Sequence, residues 1–255
     1  MLYIIVFLIL LILVLPGLVV IPMSFTSLSY FQIPIPSYST KWYEKFMENS
    51  QWINGLGLSL LVSVITAILS TIIGIMAALA IKKLEFKGKN IFMALMVSPM
   101  VIPVVIIGVA LYSTFAPMHL TNTVTGLVLS YTLLSLPMVF ITILSSLSQM
   151  NENLELAGMS MGSTPIGVFF KITLPCMRSS VISAMLFAFA TSLDEVAVSI
   201  FVSGAQTKTL PMVMWENMRT AVDPTIAAAS TILICFTLTL FAGKGVVDIF
   251  KVKKG

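Results

Sequence analysis

Two adjacent carboxylates, Asp194 and Glu195, stand inside the apolar stretch FAFATSLDEVAVSIF. Counted from Val181, they fall just past the middle of an apolar run, at a depth where an ionised carboxylate in a membrane costs several kcal/mol unless it is hydrated or paired. None of the chain's long apolar runs contains a lysine or arginine. A compensating cation must then come from a loop, a partner subunit or a transported solute, and the last case is attraction of a cationic substrate. The same pair could instead cap broken backbone, stay protonated, or meet a basic residue of another subunit. Neighbouring residues on a helix point about 100° apart, so only one of the two can face a pore squarely.

A second informative spacing lies in residues 151–180, NENLELAGMSMGSTPIGVFFKITLPCMRSS, where Gly162 is followed by Ile172, Leu174 and Pro175. Leu154, Ala157, Gly158 and Met161 recur at three- and four-residue steps. A short helix there would offer one apolar, low-profile stripe to a partner groove. Pro165 then turns the chain, and Pro175 is expected to stop a second short helix carrying Val168, Phe169 and Phe170. The plainer reading is a connecting loop that packs under the helices.

Chemistry of other kinds finds little support. The single histidine, His119, sits in a short loop, and no spacing of His, Cys, Asp or Glu suggests a metal site or a nucleophile with its base. Cys176 and Cys235 suggest neither a disulfide framework nor a metal site. No Gly-x-x-x-x-Gly-Lys-Ser/Thr phosphate loop is present, so ATP hydrolysis by that route is excluded. No catalytic residue, metal ligand or cofactor site is assigned to the chain itself.

The elements that must position these residues are membrane helices. Hydrophobic residues make up 58% of the 255, charged residues 9%, and mean hydropathy is +1.05. A soluble domain of this length does not have that composition. Runs of about 20 apolar residues are needed to span the hydrocarbon core. They occur at about 2–23, 56–81, 91–113, 124–148, 181–203 and 225–243, which predicts an all-α polytopic membrane protein with six transmembrane helices in one domain over 1–255. The first run lacks a basic flank and a clean cleavage site and is taken as a retained span.

Lysine and arginine set the orientation. Lys82, Lys83, Lys87 and Lys89 follow the second run, Lys171 and Arg178 lie in the 151–180 loop, and Lys244, Lys251, Lys253 and Lys254 end the chain. Both termini and that loop are therefore expected to be cytoplasmic. The net charge of +4 follows from this bias and implies no nucleic acid.

Further features refine the helices. Ser98, Pro99 and Pro103 interrupt the third run, and a broken helix at membrane depth is tolerated where it faces protein or a cavity. Pro99 and Pro103 therefore either flank a translocation pathway or mark a packing kink. The fourth run carries Ser130, Thr132, Ser135 and Pro137. Between the first two runs, Thr40 to Glu48 reads as an amphipathic helix with Trp42, Tyr43, Phe46 and Met47 on one face. It would lie at the outer membrane interface, as an aromatic anchor or as a platform for an external protein. Gly88 permits a tight turn in KKLEFKGKN, Pro211 to Arg219 suggests a short helix, and Asp223 with Pro224 makes a start signal for the last span.

The pattern of Gly162, nine residues, then Ile172-x-Leu174-Pro175 resembles the signature loop of inner-membrane permease subunits of binding-protein-dependent ABC importers. In that family a Glu-Ala-Ala triplet opens the loop. Here its slots hold Leu156, Ala157 and Gly158, with Glu155 one position early. The wording SLDEVAVSIF, TLPMVMWENMR and DPTIAAAST is similar to the subgroup serving spermidine and putrescine, and relatives for other amines, opines or aminoalkylphosphonates share much of it. The resemblance covers nearly the whole chain. It implies the transmembrane-domain fold of type I ABC importers in a bacterial inner membrane. The partners it implies are a homologous second permease, a dimer of cytoplasmic ATPases that bind ATP and magnesium, and an external solute-binding protein. Leu154, Glu155, Leu156, Ala157, Gly158, Met161 and Gly162 would form the ATPase-coupling segment, with Asp194, Glu195, Pro99 and Pro103 beside the substrate pathway. Two other classes stay open. An ion-coupled secondary carrier usually shows two similar halves, and no internal repeat is visible; a membrane hydrolase would need the catalytic groups that are missing.

Overall fold

The structure is a computed structural model that describes residues 2–151, 153–220 and 223–252. In chain order it contains α1 (Leu2–Met23), α2 (Lys41–Glu48), α3 (Ser50–Lys83), α4 (Lys89–Val97), a 3-10 turn at Ser98–Met100, α5 (Val104–Phe115) and α6 (Val124–Gln149). Then follow α7 (Asn153–Ser160), α8 (Pro165–Val168), a π-turn at Phe169–Thr173, α9 (Leu174–Cys176), α10 (Arg178–Leu193), α11 (Ser199–Val202), α12 (Leu210–Thr220) and α13 (Thr225–Val252). Among the described residues the only strand-like pairing is an isolated bridge between Thr26 and Tyr38.

Four stretches are long and apolar enough to cross a bilayer unbroken: Tyr3–Met23, Ser50–Lys83, Val124–Gln149 and Thr225–Gly245. Two bent pairs have the same length and apolar character and bring the number of candidate crossings to six if each is one span. Lys89–Met100 and Val104–Phe115 meet at 104°, and Pro165–Cys176 and Arg178–Leu193 meet at 75°. The first bend is the one that Ser98, Pro99 and Pro103 predict. Proline removes a backbone donor and clashes with the carbonyl one turn earlier, so the helix gives way to a 3-10 turn at Pro99 and resumes only at Val104, after Pro103.

The chain forms two compact units, Met1–Gly57 with Thr209–Gly255, and Leu58–Lys208. In the first, Phe46, Trp52, Leu210, Val213, Ile226 and Ala229 form the core. Here the expectation for α2 is corrected. Phe46 is fully buried, Trp42 nearly so, and the Trp42 indole Nε1 donates to the Thr26 carbonyl at 2.8 Å. The face that looked like an interfacial anchor is spent on the protein's own core, while Met47 remains exposed. An amphipathic pattern reports that one face needs cover and does not say whether lipid or protein provides it.

The start of α13 is fixed as its sequence predicts. The Asp223 carboxylate accepts the Thr225 N–H at 2.9 Å and pairs with Lys45 Nζ of α2 at 2.5 Å. Partial burial raises the Asp223 carboxyl, but the bonds from Lys45 and Thr225 and the Lys45 charge outweigh it, and the group sits below its ordinary value. A lowered carboxylate stabilises the fold above its unfolded value and loses that contribution as pH falls through its folded value. Thermal melts of wild type and Asp223→Asn in detergent are therefore expected to differ at pH 6, with the difference beginning to shrink only as pH falls below the ordinary carboxylate value of about 4. A gap of unchanged size from pH 6 down to about pH 2 would mean the asparagine disturbs something other than the charge.

In the second unit α6 is the central helix, with α10 packed along it. Val62 of α3 meets Leu127, Val128 and Tyr131 of α6 and Val198 and Val202 beyond. Near the other end of α3, a methyl group added to Gly74 would lie 2.6 Å from Val139 Cγ1, so a glycine there lets α3 and α6 approach closely.

Candidate functional site

The span expected over 181–203 is not one helix. α10 stops at Leu193, and Asp194 takes the C-cap position with φ −101° and ψ 2°. The chain resumes helical form only at Ser199. Asp194 and Glu195 therefore do not sit on a continuous helix, and the 100° helical step does not set their relative directions.

A break in a buried span frees backbone groups that must be satisfied from within the protein. The Glu195 carboxylate accepts the Val198 N–H at 2.9 Å. The Tyr131 hydroxyl of α6 donates to the Glu195 carbonyl at 3.2 Å and shares a hydrogen bond with the Ser199 hydroxyl. Glu195 thus caps the break. Asp194 has no side-chain hydrogen bond or ion pair among the described residues, and it is exposed. The two carboxylates, adjacent in sequence, have opposite surroundings.

Pro99 and Pro103 flank the other break. Pro103 precedes the first turn of α5, and α11 packs on α5, where Gly108 lies so close to Phe201 that an added methyl would sit 2.5 Å from its ring. The segments that follow the two interruptions, α5 after Pro103 and α11 after Val198, are thereby joined.

In residues 151–180, α7 is the predicted short helix. It ends in a Schellman motif: the Ser163 N–H reaches the Gly158 carbonyl at 3.1 Å and the Gly162 N–H the Met159 carbonyl at 2.9 Å. Gly162 has φ +88° with open space around it, so the glycine of the signature spacing is there for backbone reasons. A residue with a Cβ is strained in that region by roughly 1–2 kcal/mol.

The apolar stripe is not disposed as the spacing suggests. Gly158 is buried, since a methyl there would lie 2.5 Å from Ile172 Cδ1 and 3.2 Å from Val168 Cγ2. It belongs to the inner face of α7. Leu154, Leu156, Ala157 and Met161 are exposed, Met161 at 88%. Pro175 does not end the second helix either. A helical run continues from Pro165 to Cys176 through the π-turn, in which the Leu174 N–H reaches back to the Phe169 carbonyl. The extra residue in that turn accommodates a proline that has no N–H to offer. The Thr164 side chain caps the start, accepting the Gly167 N–H at 3.1 Å.

Glu155 faces inward with Gly158. Its carboxylate pairs with Lys83 Nζ at 2.7 and 2.9 Å and accepts the Thr173 hydroxyl. Partial burial pushes the Glu155 carboxyl up, but the bonds from Lys83 and Thr173 and the charges of Lys83 and Lys82 pull harder, leaving it below its ordinary value. Lys83, Thr173 and Tyr131 are partners that local spacing gives no sign of. Lys83 stood out only as an orienting charge.

Residues 70–250 match the family model described as binding-protein-dependent transport system inner membrane component. The chain is 32% identical over 204 residues to the putrescine transport system permease protein PotI of Escherichia coli (strain K12), covering 77% of this chain and 73% of that one. It is 30% identical to the spermidine/putrescine transport system permease protein PotC of Haemophilus influenzae, covering 80% and 79%. In fold it is similar to a bacterial ABC transporter involved in import of the acidic polysaccharide alginate, with TM-score 0.73, 14% identity, and 95% and 93% of the two chains covered. It is likewise similar to the inward-facing MetNI methionine ABC transporter, with TM-score 0.65, 15% identity, and 76% and 93% covered. With a family match over most of its length and relatives at 30% identity or more aligned over more than two thirds of both chains, the protein belongs to the binding-protein-dependent transport system inner membrane component family.

Proposed function

We propose that this chain is the permease subunit of an ATP-driven importer for a small polyamine, putrescine or spermidine. The observation that carries the reading is Asp194: an exposed carboxylate at the end of α10 with no side-chain hydrogen bond or ion pair among the described residues, in a chain whose long apolar runs contain no lysine or arginine. A solute with two or more ammonium groups offers the missing cation. The names of the relatives point to the same chemistry. A homologous second permease would complete the pathway, and an external solute-binding protein would deliver the polyamine.

Energy would come from a dimer of cytoplasmic ATPases that bind ATP and magnesium. The exposed Leu154, Ala157 and Met161 would sit in an ATPase groove, with Gly162 ending the docked helix. The distribution of lysine and arginine supports a plasma-membrane protein with both termini and this segment on the cytoplasmic side. The breaks at Pro99 to Pro103 and at Asp194 to Val198 would border the path and change shape as access alternates.

Solute-stimulated ATP hydrolysis by the reconstituted complex tests the reading. Binding protein loaded with putrescine or spermidine should stimulate hydrolysis several-fold, whereas an opine or an aminoalkylphosphonate should not. Stimulation by the latter alone would move the substrate assignment to another amine-handling branch.

A further inference from the structure

Resting on that reading, we propose that Glu155 is a positioning residue of the transport cycle: through Lys83 and Thr173 it braces the ATPase-docking helix α7 against two membrane spans. Its carboxylate reaches Lys83, the last residue of α3, and Thr173 in the π-turn that leads into α10. One side chain of α7 therefore ties it to two other elements at once.

The surroundings make this link more than decoration. A cavity of about 280 Å³, lined by Lys82, Leu147, Met150, Leu156 and Met159 together with the ion pair, separates α7 from the ends of α3 and α6. Apolar packing is open at this junction, so α3 follows α7 chiefly through the Glu155–Lys83 contact. On the other side α7 is held by close packing of Gly158 on Ile172 and Val168. The Glu155 side chain is only 14% exposed, which limits screening by water and salt. A displacement applied to the outward face of α7 reaches the end of α3 if this contact is rigid. Without it α7 can rock into the cavity and the push is dissipated.

The assignment also separates two roles that a single acidic residue near a docking segment could have. Glu155 points away from the exposed face of α7, so it acts on the protein's own spans and not on the ATPase.

The test uses the full complex reconstituted in proteoliposomes, with three readouts: ATPase retained on affinity purification, ATP hydrolysed, and radiolabelled putrescine taken up. Glu155→Gln and Lys83→Met should each keep ATPase retention within about twofold of wild type and lower putrescine moved per ATP about tenfold. The exchange Glu155→Lys with Lys83→Glu should recover most of that ratio, which a generally destabilised loop would not. Thr173→Val removes only the neutral bond and should lower the ratio in the same direction by less. It also serves as the readout should a charge variant fail to accumulate in the membrane. Loss of the ATPase from Glu155→Gln would make Glu155 a docking contact and overturn the brace. So would an unchanged uptake per ATP in both single variants. If wild type itself retains no ATPase, the importer reading fails and not merely the brace.

Discussion

Replacing Asp194 by asparagine should lower ATP-driven putrescine uptake by about tenfold to hundredfold while leaving the complex assembled. The side chain makes no hydrogen bond or ion pair among the described residues, so an isosteric neutral group there disturbs no contact in the fold. What it removes is a negative charge at the exposed end of α10. Two unit charges 4 Å apart are worth about 4 kcal/mol at an effective dielectric near 20. Hydration of a half-open site lessens that figure, and about 1.4 kcal/mol already corresponds to tenfold. Glu195→Gln should behave differently, because its amide oxygen can still accept the Val198 N–H that the carboxylate now takes. Uptake should fall less, and Glu195→Ala should add a loss of stability of about 1 kcal/mol from the uncapped N–H. Normal transport by Asp194→Asn would show that this carboxylate is structural.

The second large effect is expected on the exposed face of α7. Leu154→Asp together with Met161→Asp should reduce ATPase recovered with the chain by at least about tenfold. Leu154 is 46% exposed and Met161 88%, so neither change opens a hole in this chain. Each would instead place a charge in an apolar interface, where an unpaired carboxylate is strongly unfavourable. Met161→Leu conserves volume and polarity and should leave recovery near wild type. Equal recovery for the aspartate pair and for Met161→Leu would remove α7 as the docking element.

Much of this architecture is legible in the sequence, and the parts that are not share a cause. The apolar runs announce the spans, Pro99 and Pro103 announce the 104° bend, and Gly88 announces its positive φ, because each of these is a local property of the chain. Asp194 and Glu195 are equally conspicuous as costly charges. That the helix stops at Asp194 is not legible, since the Tyr131 hydroxyl that satisfies the break comes from 64 residues away. Glu155 is visible as an acid one position out of its slot, but its direction is set by Lys83, 72 residues earlier. The aromatic face of α2 shows that it needs cover, and only the tertiary fold shows that Trp52, Leu210 and Val213 help supply it. Gly158 fits an outward stripe by periodicity, yet its lack of a side chain is used inward, against Ile172. Short-range chemistry is thus readable, and long-range partnership is not.

The most direct test of the central claim is uptake of radiolabelled putrescine and spermidine by proteoliposomes containing this chain, its partner permease, the ATPases and the binding protein, with and without ATP on the ATPase side. Saturable uptake that requires ATP is the result predicted. Uptake of neither polyamine by an assembled complex whose ATPases hydrolyse ATP would contradict it.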